Sequence, residues 1–106
     1  MSEWTPVGTR EQVDPDTPLA VTVGEQAIGV YDVEGELHAI EDICPHAHAH
    51  LTQGFTDGCE IECPLHNAVF DVRSGKHLRG EPCRDVITFP VRVVAGRIEV
   101  QAVPRG

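Results

Sequence analysis

The sequence predicts an all-β fold, an antiparallel sandwich or barrel of many short strands. Three observations carry that expectation. Gly and Pro, 10 and 8 of the 106 residues, break the chain into short runs. Apolar residues recur almost nowhere at helical spacing, and turn dipeptides join neighbouring runs at hairpin distance.

In chain order, Trp4, Val7 and Val13 flank turn residues, and Asp14-Pro15-Asp16 reads as a loop. Residues 19–23, Leu-Ala-Val-Thr-Val, form a strand ended by Gly24. The run 26–33 leads into Glu34-Gly35, beyond which Leu37, Ala39 and Ile40 resume, a hairpin signature. A strand over 37–43 then runs up to Cys44. Further turns fall at Asp57-Gly58, Ser74-Gly75 and Ala95-Gly96, with strands expected over 59–63, 68–72, 86–89, 91–94 and 97–103. Trp4, Phe55, Phe70 and Phe89 are expected in the core. Cys59 and Cys83 are expected there too, as small apolar residues.

A chain of this length makes one domain, 1–106, and buries a limited share of its surface, so a bound metal or cluster would add real folding energy. The net charge of −9 argues against nucleic acid as a partner and suits a protein with a basic docking face. No apolar run reaches the eighteen residues of a membrane span, and no charged-then-apolar leader precedes Trp4. A cytoplasmic protein without a membrane partner, present as a monomer, is the expectation. The four cysteines then point to metal ligation rather than disulfides. Glu41 and Asp42 read as solvated surface carboxylates with a docking role as the alternative.

Residues 44–66, CPHAHAHLTQGFTDGCEIECPLH, carry the chemistry. The stretch opens with Cys44-Pro45-His46 and closes with Cys63-Pro64-Leu65-His66, and sixteen residues separate His46 from Cys63. Each half offers one thiolate and one imidazole. Two soft sulfurs and two borderline nitrogens suit iron–sulfur or zinc chemistry, not calcium or magnesium. His48 and His50 alternate with His46, but only His46 stands at the compact Cys-x-His spacing. His38 and His77 read as strand-surface residues. No Ser/His/Asp triad, phosphate-cradling loop or nucleotide fingerprint occurs, and no catalytic residue is expected.

The paired Cys-Pro-His and Cys-Pro-Leu-His loops resemble the Rieske iron–sulfur motif. There two histidines replace two cysteines on one iron of a [2Fe-2S] cluster. The resemblance implies a Rieske-type antiparallel β-sandwich or barrel with a small cluster-binding part over about residues 43–82. Cys44 and Cys63 would bind one iron, His46 and His66 the other. Gly80-Glu81-Pro82 stands where the family carries a third, proline-containing loop. The chain is most similar to the ferredoxins of bacterial aromatic ring-hydroxylating dioxygenases. That similarity implies a one-electron carrier between an NAD(P)H-dependent flavoprotein reductase and a terminal oxygenase, itself not an enzyme.

Departures from the respiratory branch of the family sharpen the expectation. Ala49 and Leu65 occupy the places of that branch's disulfide cysteines, and Ala68 and Phe70 replace its hydroxyl-bearing serine and tyrosine. Fewer hydrogen bonds to sulfur imply a midpoint near the low end of the Rieske range, about −150 mV. Two alternatives remain from other classes: a zinc-stabilised interaction module and a small subunit of a larger reductase. A zinc finger more often pairs cysteines on one segment and histidines on the other.

Overall fold

The Val- and Ile-rich run 19–41 builds the longest ladder of the molecule. A computed structural model describes residues 4–45, 49–65 and 67–102. Its strands are β1 (Thr5–Thr9), β2 (Leu19–Val23), β3 (Gln26–Val33), β4 (Glu36–Glu41), β5 (Phe55–Asp57), β6 (Glu60–Glu62), β7 (Val69–Asp71), β8 (His77–Arg79), β9 (Thr88–Phe89), β10 (Val91–Val94) and β11 (Arg97–Val100). They form three antiparallel sheets, β1-β11-β10, β2-β3-β4-β9 and β5-β6-β7-β8. The all-β expectation holds.

The hairpins form where their turn residues place them. Glu34 and Gly35 both take positive φ, 53° and 88°, between the last paired residues Val33 and Glu36. Ala95 and Gly96 do the same, at 51° and 78°, between β10 and β11. Two consecutive positive φ values match the right-handed twist of the flanking strands.

β1 was not expected as a strand, because Pro6 and Gly8 interrupt it. Among the described residues it pairs only with β11, with a register shift between Pro6 and Gly8. An edge strand with a bulge tolerates a residue that lacks an N–H. The three-residue strand β5 is not anticipated by the sequence, and of β8 only His77 is, both being too short and too polar to alternate. β4 ends at Glu41, short of the expected 43. There Asp42 turns its N–H to the Ala27 carbonyl, and Ile43 forms an isolated bridge with His50.

Two apolar cores result. One gathers Val13, Ile28, Val30, Ala39, Phe89, Ile98 and Val100 between the first two sheets. The other gathers Tyr31, Ile40, Leu51, Ile61, Phe70, Val72 and Val86 around Cys44 and Cys63. Phe70 and Phe89 are buried as expected, but the other two aromatics expected in the core, Trp4 and Phe55, are not core residues. Trp4 is half-buried, with the Arg92 guanidinium 4.2 Å from its ring centroid. Phe55 is 64% exposed, since its register opposite Glu62 turns it to the outer face of its sheet.

Candidate metal centre

Two loops with the same closure present the two cysteines. Cys44 follows β4, and its N–H donates to the Ala49 carbonyl at 2.8 Å. Cys63 follows β6, and its N–H donates to the Ala68 carbonyl at 2.9 Å. In each case a cysteine–proline pair opens a loop that an alanine closes five residues on. Ala49 and Ala68 are buried, as small residues must be directly behind a tight loop. Leu65, in the second loop, is 69% exposed.

The structure brings both thiols into one apolar cluster, with Cys44 fully buried and Cys63 nearly so. Neither is in a disulfide, nor are Cys59 and Cys83. Thiolates in such apolar surroundings need a cation close by, and a metal supplies one. The donor set therefore fits an iron–sulfur group. His46, His48 and His66 lie outside the described residues, and the described residues alone assemble no group of three or more metal-binding side chains.

The sequence reading of Asp42 and Glu41 is corrected. Asp42 is 1% exposed and ties the base of the first loop together. Its carboxylate accepts the Thr52 N–H at 2.8 Å and the Thr52 hydroxyl at 3.1 Å, and lies 2.9 Å from His50 Nδ1. Its backbone carbonyl accepts the Leu51 N–H at 2.6 Å. Buried polar groups persist when every site is satisfied, and this carboxylate meets three donors. Glu41 accepts two hydrogen bonds from Arg84, at 2.9 and 2.8 Å, and the Ile87 N–H at 3.1 Å. It fastens β4 to the segment leaving the third loop. His50 is exposed, as expected, but engaged with Asp42 rather than idle.

The third loop packs on the second. Gly80 has φ +88°, and a Cβ there would collide with the Asn67 carbonyl, so both backbone conformation and close approach require glycine. Cys83 is half-buried against the same core, and burial pushes its thiol pKa up, opposed by the Arg84 guanidinium. Cys59 is not a core residue. It lines a surface cavity of about 330 Å³ with Pro15, Asp32, Glu34 and Arg73. Tyr31, 3% exposed, has no hydrogen-bond partner for its hydroxyl among the described residues. Burial raises its pKa far above the usual phenol value, and the Asp42 carboxylate raises it further.

Comparison with known proteins agrees with this geometry. Residues 3–90 match the Rieske [2Fe-2S] domain. The chain is 38% identical over 101 residues to the anthranilate 1,2-dioxygenase ferredoxin subunit of Burkholderia cepacia, covering 94% of this chain and 93% of that protein. It superposes on the Sphingomonas yanoikuyae B1 ferredoxin with a TM-score of 0.88 at 31% identity, over 95% of this chain and 100% of that one. A third likeness is to a chain in the complex of reduced oxygenase and oxidized ferredoxin in carbazole 1,9a-dioxygenase. There the TM-score is 0.89 at 33% identity, over 97% of this chain and 96% of the other.

Proposed function

The chain belongs to the Rieske [2Fe-2S] domain family, and from that premise we propose that it is the ferredoxin of an aromatic ring-hydroxylating dioxygenase system. The zinc-stabilised module falls away, because the family's metal group is a [2Fe-2S] cluster. The observation that carries the carrier role is the pair of twin loops delivering Cys44 and Cys63 to one buried site. Cys44 and Cys63 would hold one iron, and His46 and His66, outside the described residues, would hold the other. The cluster supplies a one-electron couple. Four protein ligands leave no position open for oxygen or substrate, so the chain carries electrons and does not itself oxidise the aromatic compound.

What the chain's own residues supply is a dry, rigid seat and a docking surface. The buried alanines and Phe70 exclude water behind the cysteines, and the Asp42 and Glu41 ties fix the loop bases. Leu65 stands exposed beside the ligand position 66 and offers an apolar contact at the tip. The net charge of −9 favours quick encounter with basic partner faces. A flavoprotein reductase on the donor side and the terminal oxygenase on the acceptor side are the partners, each met through a small, short-lived interface. The reading takes 1–106 as one Rieske domain, monomeric and cytoplasmic; among the described residues no helix is long and apolar enough to cross a membrane.

Reconstitution tests it. The purified protein, an NAD(P)H-dependent ferredoxin reductase and a ring-hydroxylating oxygenase together should turn over an aromatic substrate. Omitting this chain should reduce turnover to background. Equal turnover without it would exclude the carrier role.

A further inference from the structure

The second and third loops meet through the backbone of one residue. Glu81 N–H donates to Asn67 Oδ1 at 3.1 Å, and the Glu81 carbonyl lies 2.8 Å from His77 Nε2. A carbonyl only accepts, so Nε2 carries the proton in that contact. His77 is itself held at two points, through its ring and through its backbone. Its ring packs on Phe70 in a T-shaped pair, with centroids 5.6 Å apart at 71°, and its backbone N–H donates to the Asp85 carboxylate at 2.8 Å. Phe70 lies on β7, directly after the second loop, and His77 opens β8, directly before the third. Asn67 thus grips Glu81 from the second loop, and His77 grips it from the sheet beneath. Both side chains are largely at the surface, and the sequence marks neither for this task.

We infer that Asn67 and His77 are positioning residues that latch the loop 80–82 onto the second cysteine loop and so control solvent access to the Cys63 side of the centre. The inference rests on the Rieske reading. Gly80 allows the approach, the two side chains hold it, and Cys83 just beyond packs against the apolar cluster that contains Cys63. Opening the latch admits water. Reduction adds negative charge to the site, and water solvates that charge better than an apolar wall, so the midpoint potential rises when the latch is lost.

The test uses the holoprotein with His77→Phe, which keeps an aromatic ring and removes the donor, and Asn67→Ala. Each should bleach in a ferrous chelator about tenfold faster or more than wild type, the range such outer partners carry. Each should also move the midpoint upward and speed hydrogen exchange at the Glu81 amide. The double variant should go little beyond either single one, because both groups hold the same residue. His77→Gln, which restores an N–H donor, and Asn67→Asp, which restores an oxygen acceptor, should return bleaching and exchange toward wild type. Unchanged bleaching and potential in the first two variants would overturn the latch. So would acceleration that the restoring variants share, since that would mark a general packing role. If wild type shows no Rieske signal at all, the family-based reading fails separately. The latch then stands or falls on Glu81 amide exchange alone.

Discussion

The core between β2-β3-β4-β9 and β1-β11-β10 gathers aliphatic side chains and Phe89, on strands of up to eight residues. The core behind the loops joins Tyr31 of β3 and Ile40 of β4 to residues of the three-residue strands β6 and β7 and holds two thiols, with the buried Asp42 carboxylate and the Tyr31 hydroxyl at or within it. The first follows from burial alone, at about 25 cal/mol per Å² of apolar surface removed from water. The second draws less from burial, because its three-residue strands bury little and a polar group taken inside costs free energy unless it is paired. Its order therefore leans on side-chain ties at the loop bases and on the metal group. An aliphatic half carries a second apolar half that also holds two thiols, a hydrogen-bonded carboxylate and a buried phenol.

The largest expected effect breaks the second half and spares the first. Cys63→Ser should abolish the red-brown colour of the reconstituted protein, and amides of β5–β7 should exchange faster while β3 and β4 keep their protection. Uniform loss of protection across all sheets would show that the two halves are one unit. Next comes the scaffold itself. Ile28→Ala leaves a cavity at a fully buried site and should cost about 2–5 kcal/mol in denaturant unfolding, with the visible spectrum of the folded fraction unchanged.

Asp42→Ala should cost less in stability, about 1–3 kcal/mol for the stranded Thr52 N–H. It should nevertheless speed loss of the cluster, which Ile28→Ala should not; a reversed pattern in the bleaching assay would contradict the division. The smallest effect concerns acid. The Arg10 hydrogen bond holds the Asp32 carboxyl below the usual aspartate pKa, helped by the Gly35 N–H and opposed by burial. A depressed folded value adds stability above the unfolded pKa of about 3.9 and loses it as pH falls through the folded value. Asp32→Asn should therefore be less stable than wild type at neutral pH by under about 1 kcal/mol, and the gap should close below about pH 4. Acid titrations of the two proteins by circular dichroism check the sign.

The same contrast explains what was readable in the sequence. In the scaffold, alternation and turn residues act locally, so β2, the β3–β4 hairpin and β10 lie where expected. β1 was hidden because its pairing with β11 spans the whole chain and its Pro6 and Gly8 argue locally against a strand. At the site, thiol and imidazole spacing is also local and legible. The ties are not. Asp42 finds Thr52 ten residues on, Glu41 finds Arg84 forty-three residues on, and Glu81 finds Asn67 fourteen residues back. A carboxylate that reads as solvated surface becomes a buried knot only through such distant partners. Phe55 failed in the opposite sense, because register with Glu62, not its apolar character, decides its face.

Pulsed EPR of the dithionite-reduced protein, resolving nitrogen couplings to the iron spin, tests the two-cysteine, two-histidine centre most directly. Two strongly coupled ring nitrogens are expected, with the low average g-value of a mixed-ligand cluster and with loss of the signal in His46→Ala and His66→Ala. A reduced cluster with no coupled nitrogen, or a colourless protein that holds zinc, would contradict it.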